Sequence, residues 1–233
     1  MIKYQLNIKL LSDTTFGRGD GVAGLIDQEV EHDPYGFPYL RGRTLKGLLS
    51  EECDNLIAVL LPEARQYWQR IASHLFGTPG STIGTMASVH VGDGCLPKDL
   101  REAVAFQIKR EEKQEQKLTA KDVLDSLTTI CRQTAIAPES GTADRGSLRS
   151  FHVVLRQLDF QADLTFETKP TDEMLSLLAV GALALRHLGS GRNRGRGHIL
   201  CTLHEKTGKE ENTWQDVTER YALQFGKLKE QSA

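Results

Sequence analysis

The stretch HLGSGRNRGRGHI, residues 187–199, places four glycines around three arginines. The four glycines allow the backbone to approach another group closely or to adopt positive φ angles. The three arginines carry fixed positive charges, and their planar forks match the oxygens of phosphate groups. These residue types indicate either a backbone cradle for a polyanion or a basic surface turn, and the stretch alone does not decide between the two.

The charge distribution of the whole chain is compatible with such a cradle. The 233 residues have a formal net charge of −2, which excludes a uniformly basic nucleic-acid coat. Basic residues nevertheless cluster at Arg41, Arg43 and Lys46, and again over 186–196. The distribution indicates a basic face that acidic residues balance elsewhere.

Motifs of nucleotide-binding enzymes and of metal sites do not occur in the sequence. GFPYLRGRT departs from the phosphate-loop pattern because five residues separate Gly36 from Gly42, and Arg43 stands where that loop has lysine. GSGRNRG misses the dinucleotide fingerprint by one residue and follows a predicted helix. The seven histidines and four cysteines show no zinc-ligand spacing. No GxSxG elbow is present, which leaves only a dispersed Ser-His-Asp triad open.

The same features predict a cellular compartment. Scattered cysteines fit buried thiols in a reducing environment better than disulfides. The first residues, MIKYQLNIKLL, are too polar for a signal peptide, and no run approaches the length of a membrane span. We therefore expect a cytoplasmic protein.

Hydrophobic periodicity predicts a mixture of strands and helices. Alternation predicts a half-buried strand over 2–11, and a long loop rich in glycine and aspartate occupies 12–43. Leucines at helical spacing predict a helix from Thr44, and Pro62 begins a second helix that ends near Phe76. The later predicted elements are a strand over 86–94, two charged helices within 97–133 separated by a Thr119–Asp122 capping box, a polar loop or hairpin arm over 134–150, a strand pair or one long strand over 151–168, an apolar helix capped by Thr171, a strand over 198–205 and a helix over about 213–228.

This order suits a single ferredoxin-like (RRM-like) α+β domain that spans 1–233. Its core would comprise about 1–94 and 151–233. The segment of about 95–150 would be an elaboration on that core.

The loop FGRGDGVAGLIDQEVEHDPYGFPYLRGRTLKG is the second segment with chemical potential. A loop aspartate is usually part of a turn or a cap, and this interpretation applies to Asp13 and Asp33. Asp27 differs, because Leu25 and Ile26 are expected to anchor the backbone while its carboxylate stays exposed.

The stretch GLIDQEVEHDPYGFPYLRGRTLKGLL resembles the N-terminal signature of the RAMP superfamily, and in particular the repeated backbone subunit of type III CRISPR effector complexes. The stretches LFG, ASVHVGD, TAIAPESGTADRGSLRSFHVV and LGSGRNRGRG are similar to later blocks of that family, in the same order. Arg41 and Arg43 stand where the family usually has proline and serine. Residues 96–133 match no named part of the family.

The resemblance implies a RAMP core with a helical insertion and a thumb hairpin. In that family, copies stack head to tail along a guide RNA, and each thumb displaces one nucleotide of the guide–target duplex. The implied partners are guide CRISPR RNA, complementary target RNA, neighbouring RAMP backbone subunits and other effector subunits. The expected RNA-binding residues are Arg18, Arg41, Arg43, Thr44, Lys46, Ser190, Arg192, Asn193, Arg194 and Arg196.

The thumb is expected over 136–148, where the polar, glycine-bearing chain has little means of packing on its own domain. Its expected functional residues are Ile136, Arg145, Leu148 and Arg149. The glycine-rich loop is also expected to pack on the sheet of its own domain, so that some of its glycines serve folding alone.

Asp27 matches the position of the family's target-cleaving aspartate. The resemblance therefore implies a metal-dependent endoribonuclease in which the 2′-hydroxyl of the target attacks the adjacent phosphorus. The cofactor would be a divalent metal, Mg²⁺ or Mn²⁺, held largely by RNA, with its protein ligands unknown. Two alternatives stay open: a catalytically silent RNA-binding scaffold, and a guide-processing endonuclease that uses His32.

Overall fold

The computed structural model describes residues 1–19, 21, 27–78, 86–110, 117–207 and 213–231. Within these residues, no helix is long and apolar enough to cross a membrane. The elements in chain order are β1 (Ile2–Leu10), α1 (Gly42–Ala58), α2 (Pro62–Phe76), β2 (Val89–Val91), α3 (Lys98–Arg110), α4 (Ala120–Leu127), β3 (Thr128–Gln133), β4 (Arg149–Val154), β5 (Asp159–Phe166), α5 (Asp172–Ala184), a 3-10 turn (Arg192–Arg194), β6 (Ile199–Lys206), β7 (Trp214–Asp216) and α6 (Thr218–Gln231).

One five-stranded sheet, in the order β2-β5-β1-β6-β7, forms the centre of the domain. Its strand pairs are antiparallel, and β1 lies between β5 and β6. The units β1-α1-β2 and β5-α5-β6 give the strand order of a ferredoxin-like fold, to which β7 adds an edge strand. The predicted α+β class is confirmed.

The core lies between this sheet and the helices because β1 alternates as predicted. Tyr4, Leu6, Ile8 and Leu10 are buried, and they belong to one cluster with apolar residues of α1, α2 and α5. The predicted cap of α5 is also confirmed, since the Thr171 hydroxyl accepts from the backbone N–H of Met174 at 3.3 Å. Buried residues surround most of α5, which makes it the central helix of the layer.

Two stretches that the sequence assigns to helices are strands. The capping box of Thr119 and Asp122 begins α4 as predicted, but the helix ends at Leu127. The next residues, TTICRQ, start with a β-branched run that favours extended backbone, and they pair with β4. Similarly, Trp214–Asp216 pairs with the edge of β6, and the C-terminal helix begins only at Thr218.

The stretch 151–168 contains a strand pair, not one long strand, and the two strands belong to different sheets. Strand β4 pairs with β3 in a separate two-stranded sheet, whereas β5 joins the central sheet. The chain turns between them at Gln157, which has a φ of 68° and donates its N–H to Leu10 O at 2.8 Å. The β3–β4 hairpin therefore leaves the core where β4 ends.

The tip of this hairpin, residues 134–148, is bonded to itself. Ala137 N–H donates to Thr142 O and Asp144 N–H donates to Ala135 O, both at 2.9 Å. Ile136 and Leu148, two predicted thumb residues, are 60% and 64% exposed. Arg145 and Arg149 are exposed as well. This arrangement agrees with the expectation that the tip does not pack on its own domain.

We predict that replacing residues 136–148 with a short Gly-Ser link leaves the fold and the melting temperature unchanged. The tip contributes exposed side chains and bonds within itself, so its removal exposes no part of the core. Circular dichroism and thermal melting measure the effect. A large loss of thermal stability would show that the tip supports the domain.

A second prediction concerns two glycines in helices. A Cβ at Gly181, in α5, would lie 2.5 Å from the Cys53 Sγ of α1, which is fully buried. Gly181→Ala should therefore lower the free energy of unfolding by about 1–3 kcal/mol through overpacking. Gly47→Ala, at an exposed position of α1 with no atom within 4 Å of the new Cβ, should raise it by about 0.5–1 kcal/mol.

Adding Cys53→Ala to Gly181→Ala should recover part of the loss, because it removes the sulfur that the new methyl group would meet. Chemical denaturation of the four proteins measures these effects. Equal losses for the single and double variants would show that the helices are not held apart by this contact.

Candidate nucleic-acid interface

The glycine-rich loop 189–197 packs on the segment that follows β1. Gly189 and Gly197 have φ angles of 79° and 70°, and a Cβ at either position would overlap the backbone or the side chain of a neighbouring residue. Thr14 Oγ1 donates to Leu188 O at 2.7 Å, and Ser190 N–H donates to Thr15 O at 3.0 Å. These two glycines serve the packing of the loop on its own domain, as expected.

The middle of the loop projects outward. Gly191 and Gly195 are both left-handed and flank the turn Arg192–Arg194, in which Asn193 is the central residue. No atom lies within 4 Å of a Cβ built on Gly195. Arg192 and Arg194 are exposed, and Arg192 Nη1 lies 4.0 Å from Glu51 Oε2. The turn thus presents two guanidinium groups to the surface.

Arg196 points inward instead. It is only 9% exposed, its Nη2 donates to Cys131 Sγ at 3.0 Å, and its guanidinium lies 4.7 Å from the centre of the Phe151 ring. Cys131 and Phe151 are paired residues of β3 and β4. Arg196 therefore ties the glycine-rich loop to the base of the hairpin, which the sequence spacing could not show.

Two grooves meet at this loop. The hairpin groove, of about 510 Å³, lies between the loop and the hairpin base, where Gln133, Arg149 and Phe151 line it. The helix groove, of about 290 Å³, runs from the loop past residues 15–19 to the start of α1. Both grooves share Gly189, Ser190 and Arg192. The predicted functional residues that line one or both grooves are Arg41, Thr44, Arg149, Ser190, Arg192, Arg194 and Arg196.

Glu31 holds Arg41 in the helix groove. Arg41 Nη2 lies 2.7 Å from Glu31 Oε2, and the Tyr39 hydroxyl donates to Glu31 Oε1 at 2.8 Å. Partial burial acts to raise the pKa of Glu31, but the hydrogen bonds from Arg41 and Tyr39 outweigh it and lower that pKa. Sequence analysis missed Glu31 and Tyr39, whose role depends on this contact.

The other predicted basic residues lie near the grooves but do not line them. Arg43 is exposed on the first turn of α1, and Lys46 is partly buried, which lowers its pKa. The first N–H of α1, that of Gly42, already donates to Asp93 Oδ1 at 2.7 Å. Arg18 is exposed between Gly17 and Gly19, both of which line the helix groove.

Asp27 lies at the base of the hairpin. Its N–H donates to Ser150 O at 2.8 Å, and its Oδ2 accepts from Ser150 N–H at 2.7 Å. The residue is exposed, as expected, but the anchoring predicted for Leu25 and Ile26 lies outside the described residues. The basic residues of the two grooves form a track that runs from Arg41 through the glycine-rich loop to Arg149. Because Ser150 stands between Arg149 and Phe151, both of which line the hairpin groove, Asp27 is next to this basic track.

Asp13 and Asp33, the two aspartates assigned to turns or caps, are structural, as predicted. Asp13 Oδ1 accepts from the N–H of Arg156 at 2.9 Å. Asp33 Oδ1 accepts from the N–H groups of Tyr35 and Phe37, which closes a tight turn. The ring Nδ1 of His32 lies 3.0 Å from the carbonyl oxygen of Asp33 in the same turn.

A larger groove, of about 600 Å³, lies elsewhere, against the polar side chains of β1 and β5. It contains charges of both signs, two pairs of which lie close together: Lys3 Nζ lies 4.0 Å from Asp163 Oδ2, and Lys98 Nζ lies 3.6 Å from Glu102 Oε1. A polyanion would meet both signs of charge there. The two grooves at the glycine-rich loop are therefore the better candidate interface.

Comparison with known proteins identifies the family and the fold of the chain. No curated protein matches the chain, but the model of the RAMP superfamily matches residues 7–199. The fold is similar to a chain of the type III-B Cmr-beta complex bound to cognate target RNA, with a TM-score of 0.60, 13% identity, and coverage of 87% of this chain and 97% of the other. A chain of the apo state of Cmr-beta gives a TM-score of 0.58 at the same identity and coverage. Because the family model spans most of the sequence, the protein belongs to the RAMP superfamily.

Proposed function

We propose that this protein is a guide-RNA-binding backbone subunit of a type III CRISPR effector complex and that it cleaves complementary target RNA. The observation that carries the proposal is the continuous track from Arg41 through the glycine-rich loop to Arg149, with Asp27 next to it. Both solved structures named above belong to a type III-B complex, and one contains target RNA. The proposal also includes neighbouring subunits of the same superfamily as partners, and the cytoplasmic location expected from the sequence.

The track suits the RNA backbone better than the bases. Arg192 and Arg194 are exposed on a turn and offer charge to phosphate oxygens, which carry no sequence information. Arg41 reaches the same track from the start of α1 while Glu31 fixes its guanidinium. Such contacts allow the protein to hold guides of any sequence.

In the proposed reaction, the 2′-oxygen of one target nucleotide attacks the adjacent phosphorus and the bond to the 5′-oxygen breaks. The products are a 2′,3′-cyclic phosphate and a 5′-hydroxyl. The hairpin tip would displace the reacting nucleotide so that the 2′-oxygen can align with the leaving oxygen. The Asp27 carboxylate would accept the 2′-hydroxyl proton or hold a divalent ion at the phosphate.

A bound Mg²⁺ or Mn²⁺ would stabilise the negative charge that develops on the phosphate. No cluster of three or more His, Cys, Asp or Glu residues that could hold a metal occurs among the described residues. The exposed Asp27 carboxylate still fits such an ion, because Mg²⁺ is commonly bound by one or two carboxylates together with substrate phosphates. Asp27 would therefore hold it together with RNA oxygens.

One observation favours a second candidate, a silent RNA-binding scaffold. Asp27 Oδ2 accepts from Ser150 N–H, so the carboxylate has a structural use that requires no chemistry. A guide-processing nuclease that uses His32 is less well supported, since that ring contacts the backbone of its own turn.

We predict that Asp27→Asn abolishes cleavage of complementary RNA while guide and target binding persist. The amide oxygen can still accept from Ser150 N–H, but it can neither take a proton nor balance a metal ion. The matched control is Asp13→Asn, because the Asp13 carboxylate also accepts from a backbone N–H and lines neither groove. Assembled complexes with Mg²⁺ or Mn²⁺ and labelled target RNA provide the measurement.

Cleavage by the Asp27→Asn complex at the rate of the unsubstituted complex would refute the catalytic role. If neither the unsubstituted complex nor the Asp27→Asn complex cleaves the target, the result would favour the silent scaffold.

For the glycine-rich loop, we predict that Arg192→Ala and Arg194→Ala weaken guide binding equally for all sequences without lowering the melting temperature. Each lost phosphate contact should reduce the slope of log affinity against log salt by about 0.7. Arg196→Ala should also lower the melting temperature, because it removes the contacts to Cys131 and Phe151.

Arg220→Ala is the control, since that arginine pairs with Glu205 near the start of α6 and lines neither groove. An unchanged salt slope in the Arg192 and Arg194 variants would mean that these side chains do not meet RNA.

A further inference from the structure

A buried histidine lies where three parts of the interface meet. His152, in β4, is 9% exposed. Its N–H donates to Gln28 O at 3.0 Å, in the segment that carries Asp27. Its carbonyl oxygen accepts from Thr15 Oγ1 at 2.9 Å, and Thr15 O in turn accepts from Ser190 of the glycine-rich loop. His152 is thus hydrogen-bonded to the segment that carries Asp27 and is linked through Thr15 to the glycine-rich loop.

The side chain of His152 adds two further bonds. Nδ1 lies 2.9 Å from Glu29 Oε2, and Nε2 lies 2.7 Å from Thr128 Oγ1. The Thr128 hydroxyl donates its proton to Leu124 O at 2.6 Å, so its oxygen must accept from Nε2–H. Glu29 and Thr128 therefore hold the ring at both nitrogens.

This network is costly for a purely structural contact. The imidazole is nearly buried and the Glu29 side chain is partly buried, so both lose contact with water, and apolar residues of similar volume often serve stability equally well. The neighbours Val153 and Val154 in β4 show that apolar side chains fill the buried positions that follow. What the polar network adds is a fixed register between two backbones, because both ring nitrogens need their partners.

The two backbones are the segment that carries Asp27 and strand β4, so their register sets the position of Asp27. Bonds join Asp27 to Ser150 and Gln28 to His152, a bridge pairs Gln28 with Phe151, and the ring of His152 holds Glu29. If the Glu29 contact is lost, residues 27–29 are held by backbone bonds and by the bond from Ser150 N–H to Asp27 Oδ2, and the next anchored side chain is that of Val30, which is buried. A shift of about 1 Å in a reacting group can lower a rate roughly 100-fold.

We propose that Glu29, His152 and Thr128 form the positioning group of the target-cleaving site, which holds the Asp27 carboxylate at the hairpin base. The inference rests on the proposed function, because it assigns these residues a part in that reaction. None of the three acts on the RNA itself. Their effect reaches the reaction through Asp27.

The test compares disruptive with conservative variants in the assembled complex. Glu29→Ala and Thr128→Val remove an acceptor of the ring, whereas Glu29→Gln and Thr128→Ser keep one. Glu205→Ala, which removes a comparable contact to Arg220 at 2.9 Å, is the control. Single-turnover cleavage, target affinity, and hydrogen exchange of the Asp27 and Ser150 amides are measured for each.

We expect Glu29→Ala and Thr128→Val to slow cleavage by roughly 10- to 100-fold at unchanged target affinity, and to speed exchange at the two amides. The conservative variants and Glu205→Ala should stay close to the unsubstituted protein. If Glu29→Ala does not fold, Thr128→Val decides, because valine has nearly the shape of threonine.

The outcomes separate the inference from the proposed function. Cleavage and exchange that stay unchanged in both disruptive variants would overturn the inference and leave the function intact. A loss of target affinity that parallels the loss of cleavage would show a general structural role and also overturn it. If the unsubstituted complex does not cleave, the proposed function fails and the part of the three residues in the reaction fails with it, whereas faster exchange in the disruptive variants would still show that they hold Asp27 in place.

Discussion

Two threonines that follow β1 hold the parts of the candidate interface together. Thr14 and Thr15 are both 0% exposed. Thr14 exchanges backbone bonds with Val154 of the hairpin and donates its hydroxyl to Leu188 before the glycine-rich loop. Thr15 accepts from Ser190 and donates its hydroxyl to His152. Because the central strand of the sheet ends just before them, the loop and the hairpin are fixed relative to the core through these bonds.

The basic residues near this junction have two different roles: some stabilise the fold, and others present positive charge at the surface. Arg196 is used inside, against Cys131 and Phe151, whereas Arg192 and Arg194 remain at the surface. Glu31 likewise fixes Arg41 instead of leaving it mobile, which reduces the entropy that an ordered contact with phosphate would cost. A chain with a net charge of −2 can therefore present a local basic track.

Local signals in the sequence predict much of the fold, whereas contacts between residues that are distant in the sequence cannot be predicted from such signals. Alternation in 2–11 and the caps at Thr119 and Thr171 depend on neighbouring residues, and the structure confirms all three. The sequence predicts a helix where β3 forms, because the residues of β3 do not reveal that their pairing partner is β4, beyond the hairpin tip. The bond between Glu29 and His152 joins residues 123 positions apart, so no spacing rule could reveal it. The inward direction of Arg196 has the same cause.

Sequencing and cross-linking of the RNA that copurifies with the chain from its native host would test the central claim most directly. The account predicts short RNAs of defined length that share a common repeat-derived segment and differ in the rest. It also predicts cross-links at Arg192, Arg194 and the start of α1. Heterogeneous cellular RNA, or cross-links confined to the polar groove beside β1 and β5, would contradict the claim that the glycine-rich loop holds guide RNA.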